Sequence, residues 1–267
     1  MRKDFSVSLI VTTYNNVPAL SLYLRSVLAQ SVLPDEILVA DDGSGEETRR
    51  LVEAFAGESP IPVRHIWHED DGFRLTVIRN KAIAAAKGQY IIQTDGDLIL
   101  HRDFVKDHIA AARLGCFVGR GSRVMLDEEL TTFLLAFADD SLPELSVWTR
   151  GTRHAINGVH IAWLSRIFRN FRTNRARGCN MAFWREDLLA VNGYDENMVG
   201  WGHEDLELAA RLRHNGVRPM MLKFGGIVYH LHHKTASRSG ENANLLILLR
   251  TEQEHRIRCE KGVSQYL

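Results

Sequence analysis

Residues 6–44 switch repeatedly between two hydrophobic patterns, and this alternation limits the possible folds more than any other feature of the chain. Ser6-Val7-Ser8-Leu9-Ile10-Val11-Thr12 is a short β-rich run. Thr13-Tyr14-Asn15-Asn16 then supplies turn and cap residues, Pro18 is tolerated in a first helical turn, and Leu20, Leu24, Val27 and Leu28 fall on one helical face. A second strand, Glu36-Ile37-Leu38-Val39-Ala40, runs into Asp41-Asp42-Gly43-Ser44, where the next helix is expected to begin. Strand, helix and strand at this spacing make a right-handed crossover in a parallel sheet. Both strand ends then open onto one edge, which carries Thr12, Tyr14, Asp41 and Asp42.

A third apolar run, Tyr90-Ile91-Ile92-Gln93-Thr94, leads directly into Asp95-Gly96-Asp97. Extended alternation would point the two carboxylates the same way, and open parallel sheets collect ligands at the carboxyl ends of their strands. A hard divalent ion with positions left for phosphate oxygens suits such a pair. Asp-Gly-Asp alone is also a common turn, so the metal reading leans on the rest of the chain.

In order and spacing, Val11-Thr12-Thr13-Tyr14-Asn15, Ser26-Val27-Leu28-Ala29-Gln30, Val39-Ala40-Asp41-Asp42-Gly43-Ser44 and Thr94-Asp95-Gly96-Asp97 resemble the nucleotide-sugar glycosyltransferases of family 2. The segment from Arg177-Gly178-Cys179-Asn180 through Asn192-Gly193-Tyr194-Asp195 to Gly200-Trp201-Gly202-His203-Glu204-Asp205 is similar to the carboxyl-terminal module of galactosyltransferases and chondroitin-type polymerases. This resemblance implies an α/β fold of the GT-A type: a Rossmann-like, mostly parallel sheet flanked by helices, with a small acceptor-side module at the carboxyl end. Residues 1–114 would form the nucleotide-sugar half and residues 115–267 the acceptor-side half of one continuous domain. Residues 115–176 are the least accounted for.

The same resemblance implies roles. Tyr14 would stack on the nucleotide base, Asp42 would accept a hydrogen bond from it, Thr12 would line that edge, and Asp95 would hold the ribose and metal side. Asp97 and His230 would bind the ion, expected to be Mn2+ with Mg2+ a substitute. His232, two residues past His230 and on the same side of an extended chain, is the fallback ligand. Related galactosyltransferases carry Trp-Gly-Gly-Glu-Asp where this chain has Trp201-Gly202-His203-Glu204-Asp205, and their catalytic base is the aspartate matched by Asp205. His203 departs from that pattern and would alter acceptor fit or chain mobility. Trp201 offers an aromatic face for a sugar ring, and Glu204 joins the acceptor side, although acids in a first helical turn are also ordinary capping residues. Arg74, within Gly72-Phe73-Arg74, is the expected donor-phosphate ligand, with Arg79 second because a helix-face arginine is often solvated. Arg79 to Gly88 reads as an alanine-rich helix closed by glycine. His65, Trp67 and His68 read as packing or rim residues. Lys234 to Asn244, rich in Ser, Gly and Asn, resembles a loop that closes over the donor.

Lys plus Arg and Asp plus Glu both number 33, so whole-chain charge selects no partner. Locally it is uneven: between Thr149 and Gly178 there is no acid, while Arg150, Arg153, Arg166, Arg169, Arg172, Arg175 and Arg177 interleave with Trp163, Phe168 and Phe171. Such a segment can lie on an anionic membrane surface, grip a phosphorylated acceptor, or simply be a solvated face over a core-facing stripe. No nucleic-acid motif accompanies it. Three widely spaced cysteines, no apolar leader and no run of about 18 apolar residues fit a cytoplasmic protein, peripheral to the inner membrane face if the arginines act there. Two other functions compete with a glycosyltransferase taking a nucleotide-sugar donor and a glycan or glycolipid acceptor. A sugar-phosphate nucleotidyltransferase would open with a glycine-rich, arginine-containing loop, which Thr12 to Asn16 lacks. A noncatalytic glycan-binding protein of this fold would have no need of the acids.

Overall fold

The structure is a computed structural model, and it describes residues 4–136, 142, 144–167, 169–170, 176–233 and 240–267. The strands are β1 (Val7–Thr13), β2 (Glu36–Asp41), β3 (Val63–Trp67), β4 (Tyr90–Asp95), β5 (Leu98–Leu100), β6 (Cys116–Arg120), β7 (Arg123–Leu126), β8 (Thr152–Arg153), β9 (Arg169–Asn170), β10 (Asn180–Trp184), β11 (Arg218–Leu222) and β12 (Val228–His230). The helices are α1 (Val17–Leu28), α2 (Glu46–Glu58), α3 (Leu75–Ala85), α4 (Phe104–Ala111), α5 (Glu128–Leu135), α6 (Ala162–Ile167), α7 (Arg185–Ala190), α8 (Glu204–His214) and α9 (Glu241–Gln253).

Eight strands form the main sheet in the order β3-β2-β1-β4-β10-β6-β11-β9. β1, β2, β3 and β4 are mutually parallel where they pair, as the crossover pattern requires, while β10 runs antiparallel to β4. Register places Thr12 opposite both Ala40 and Asp95, so the expected edge forms where these strands end. Strands β10, β6 and β11 come from the second half of the chain and extend the sheet begun by the first.

Side-chain alternation sorts the core into two layers. Val7, Leu9 and Val11 face one way, onto Leu20, Tyr23, Leu24 and Val27 of α1, while Ile10 faces the other, among Ile78, Ala82 and Ile83 of α3 and Leu208 and Leu212 of α8. A smaller sheet, β5-β12-β7-β8, packs on the other side of α1 through Ala19 and Leu22 against Ile99, Val124 and Tyr229. Helix α1 is thus sandwiched between two sheets, which explains why its buried face is wider than the expected stripe. Leu28, expected inside, ends the helix exposed. Asn16 caps α1 as anticipated, its side chain accepting from the Ala19 amide.

Two element boundaries differ from expectation. The alanine-rich helix starts earlier and ends earlier, spanning Leu75–Ala85, and Gly88 lies beyond it. A Cβ at Gly88 would sit 2.5 Å from the Ser8 backbone nitrogen, so this glycine permits close approach to β1 and does not cap the helix. Asn244, placed in a closing loop, is buried within α9, which begins at Glu241; residues 234–239 of that expected loop lie outside the described residues. All three cysteines are buried and free. No helix among the described residues is long and apolar enough to cross a membrane.

Candidate functional site

One cavity of about 750 Å³ opens at the shared strand edge, and its lining draws on both halves of the chain. Thr12, Tyr14, Asp42, Arg79, Asp95 and Asp97 line it from the first half; Trp201, His203, Glu204, Asp205, His230 and His232 line it from the second. Of the site residues expected from sequence, only Arg74 is absent from the lining. Its guanidinium turns away, donating to the Glu69 carbonyl at 2.8 Å and pairing with Asp71 at 3.2 Å.

At the β1 and β2 ends, Tyr14 is half exposed and donates its hydroxyl hydrogen to Asp70 at 2.9 Å. Asp42 already holds two partners, His68 Nε2 at 2.8 Å and the Arg74 amide at 2.9 Å. Burial pushes the Asp42 carboxyl above its ordinary value, partly offset by His68 and Arg74. His65 likewise contacts Asp41 at 2.8 Å. The two histidines read as packing residues therefore orient the two carboxylates of the Asp41-Asp42 pair.

Asp95 and Asp97 do not share partners. Strand β4 ends at Asp95 and the chain bends through Gly96, so strict alternation is lost. Asp95 Oδ1 accepts from Thr12 Oγ1 at 2.9 Å and from Arg79 at 3.0 Å. Asp97 instead faces the end of β12, which pairs antiparallel with β5 and sets His230 beside Leu98. His233 Nε2 lies 3.1 Å and His230 Nε2 3.7 Å from Asp97 Oδ2. Burial would raise the Asp97 carboxyl, but the hydrogen bond from His233 and the charges of both histidines hold it below the ordinary value.

Asp97, His230 and His233 can each bring a ligand atom within 4.8 Å of the others, and the donor chemistry fits a divalent cation. Nδ1 of His230 lies 2.9 Å from the Leu231 carbonyl, which puts the ring hydrogen on that nitrogen and leaves the Nε2 lone pair facing a carboxylate oxygen. With His230 neutral, as metal ligation requires, two acceptors face each other across a gap, and Asp97 Oδ1 is buried without a hydrogen-bond partner. A cation answers both. His232, the fallback ligand, does not join this group: beyond β12 the chain leaves its extended path, and the His232 amide donates to Thr131 Oγ1. His233, which sequence reasoning left unassigned, takes that place. Its signal was the run of histidines itself, but only the turn after β12 selects among them.

Arg79 is the largest departure from expectation. It is 1% exposed, not solvated, and its two terminal nitrogens reach Asp95 at 3.0 Å and Glu204 at 3.3 Å. The guanidinium also lies over the Tyr194 ring at 5.2 Å. Burial disfavours its charge, yet Tyr194, Asp95, Glu204 and Asp205 together raise its pKa. Glu204 is driven the other way from an ordinary acid: burial and the neighbouring Asp205 raise its pKa despite Arg79. Asp205 opens α8 beside it, with Oδ2 accepting the Gly178 amide at 2.7 Å and Oδ1 its neighbour's amide, Leu206 N–H, at 2.8 Å. Ahead of this helix, Gly200, Gly202 and His203 all have left-handed backbone, with φ of 79°, 112° and 68°. His203 thus occupies a conformation that suits glycine, and its ring lies 3.9 Å from Glu241 at the start of α9.

Residues 8–130 match the model of glycosyl transferase family 2, and residues 161–234 match that described as the N-terminal domain of galactosyltransferase. The first half of the chain is thus similar to the family 2 glycosyltransferases, and part of the second half to galactosyltransferases. It is 26% identical over 263 residues to a chondroitin synthase of Escherichia coli, covering 91% of this chain and 38% of that protein. The chain therefore spans well under half the length of this relative. Among solved structures it resembles the mannosyltransferase PcManGT of Pyrobaculum calidifontis in complex with GDP-Man and Mn2+, with a TM-score of 0.58 and 20% identity over 96% of this chain and 66% of that one. It also resembles GalNAc-T7 with UDP, GalNAc and Mn2+, with a TM-score of 0.64 and 16% identity over 92% of this chain and 48% of the other. At such identities the likeness establishes the fold, which is GT-A.

Proposed function

We propose that the protein is a metal-dependent, inverting glycosyltransferase that moves a hexose or N-acetylhexosamine from a nucleotide diphosphate sugar, UDP-linked by resemblance, to a glycan hydroxyl in surface polysaccharide or lipopolysaccharide synthesis. One observation carries the reading: a single cavity joins the Thr12, Asp42 and Asp95 edge, the Asp97, His230 and His233 group, and Asp205 on α8. Thr12, Tyr14, Asp42 and Asp95 would hold the nucleoside. Asp97, His230 and His233 would hold a cation, Mn2+ or Mg2+, which when bound supplies positive charge against the departing diphosphate. Asp205, steadied by two backbone amides, would take the proton of the attacking acceptor hydroxyl. Trp201 and Glu204 would orient the acceptor. The Arg79 bridge would keep Asp95 and Glu204, and hence donor and acceptor sides, in fixed relation.

Attachment to an anionic membrane surface belongs to this reading as well. Of the apolar side chains that interleave with the arginines, Trp163 and Ile167 are exposed and Ile161 and Leu164 half-buried, while Phe168 and Phe171 lie outside the described residues; Trp148 and Ile156 nearby are exposed as well. Arg150 and Arg153 are exposed beside them. Arg177 lines the cleft, and the side chains of Arg166, Arg169, Arg172 and Arg175 lie outside the described residues.

The test is a panel of nucleotide sugars scored for release of nucleotide diphosphate, with and without acceptor glycans. Turnover that requires Mn2+ or Mg2+, stops with chelator and is lost in Asp97→Ala supports the reading. Undiminished turnover in chelator refutes the metal assignment, and no turnover with any donor refutes the transferase.

A further inference from the structure

The cleft carries positive charge that the transfer scheme does not use. Arg123 enters it from β7 and Arg177 from the segment leading into β10, both lining the cavity that holds Trp201 and Asp205. Among the described residues neither guanidinium makes an ion pair with a carboxylate; Arg123 reaches only Cys179 Sγ, at 3.9 Å. The other deeply placed arginines are arranged differently. Arg211, fully buried, pairs with Glu207 at 2.6 Å, and Arg79 bridges Asp95 and Glu204.

Burial, followed by the like charges of Arg123 and Arg120, pulls the Arg177 pKa below the ordinary arginine value. The fold holds these cations together against their own repulsion, a cost that a bound anion would relieve. A guanidinium fork also matches the paired oxygens of a carboxylate or phosphate. We infer that Arg123 and Arg177 form an anion subsite in the acceptor half of the cleft, made for an acceptor sugar that carries a carboxylate or phosphate. The inference rests on the transferase reading. One placement favours the acceptor over the donor diphosphate: Arg177 lies within the electrostatic reach of Asp205, the group assigned to the attacking hydroxyl. Arg123 stands on β7 beside β12, the strand that ends in His230, so the donor diphosphate is the competing occupant that the test separates.

Direct binding tests this independently of turnover. Quenching of tryptophan fluorescence or titration calorimetry would compare glucuronate, glucose 6-phosphate and glucose on the intact chain. The subsite predicts that one or both acidic sugars bind at least tenfold more tightly than glucose, and that added salt erodes this preference. Arg123→Gln and Arg177→Gln would each remove most of it, while Arg123→Lys would keep part. Which acidic sugar binds separates a carboxylate subsite from a phosphate one. Equal binding of all three sugars to the wild-type chain overturns the inference, even if a Gln variant fails to fold. It falls equally if the Gln variants weaken UDP binding in Mn2+ and leave acidic-sugar preference intact, since the arginines would then hold the leaving group. In either case metal-dependent donor turnover by the wild type would still stand, so failure of the subsite is distinct from failure of the transferase.

Discussion

Replacing Arg79 by alanine removes the cation that, among the described residues, bridges Asp95 and Glu204 across the cleft. Removing one partner of a buried pair costs about 3–5 kcal/mol, because the remaining charge is left buried. Glu204 is well buried, but the Asp95 side chain is 33% exposed and water screens that arm, so the lower end applies. Unfolding entropy of about 2.1 cal/mol/K per residue over 267 residues gives about 0.56 kcal/mol/K, so a loss of about 3 kcal/mol lowers Tm by about 5 °C. Arg79→Lys, a point charge able to satisfy one carboxylate at a time, should fall between the two. Thermal unfolding followed by circular dichroism at low and high salt measures both variants. A change in Tm under about 2 °C for Arg79→Ala would refute the bridge, since a solvated surface arginine costs no more than about 0.5 kcal/mol.

His233→Ala should weaken Mn2+ binding by about tenfold or more while His232→Ala leaves it nearly intact, read by titration calorimetry; the reverse would return the third ligand to His232. Asp205→Asn should lower kcat about a hundredfold or more with donor affinity kept, and Glu204→Gln should raise the acceptor KM more than it lowers kcat; an exchange of these effects would move the base to Glu204. Asp187 has a carboxyl raised to about 6 by burial and by Glu186, and one oxygen without a hydrogen-bond partner. A raised acid favours the fold while protonated, so its contribution is complete below the unfolded value near 4 and lost as pH rises through about 6. Asp187→Asn should therefore raise Tm at pH 8 relative to wild type and lose that advantage near pH 4, measured by calorimetry across the two buffers. Trp163→Ser should reduce sedimentation with anionic liposomes at low salt without changing Tm; unchanged sedimentation would detach this face from any membrane role.

The parts of the site that were legible in the sequence are those fixed by local pattern. Alternation in β1 and β2 put Thr12, Asp41 and Asp42 at strand ends because a parallel crossover leaves no other arrangement, whereas Glu204 and Asp205 were singled out by the resemblance to the galactosyltransferase module, helix-terminus chemistry alone reading them as capping acids. What could not be read depends on contacts between segments remote in the chain. Arg79 and Glu204 are 125 residues apart, and nothing in an alanine-rich helix distinguishes a bridging arginine from a solvated one. His233 outranks His232 only because the chain bends after β12 and ties the His232 amide to Thr131 on α5. Arg74 was favoured by its motif, yet its guanidinium found Glu69 and Asp71 nearby and left the cleft to an arginine five residues on. The common thread is charge seeking compensation: local pattern places the backbone, and the desolvation cost of each ionised group then decides which of several similar side chains turns inward. On that logic Arg123 and Arg177, inward-facing without a carboxylate among the described residues, are where this cleft still has charge to be met by its substrate.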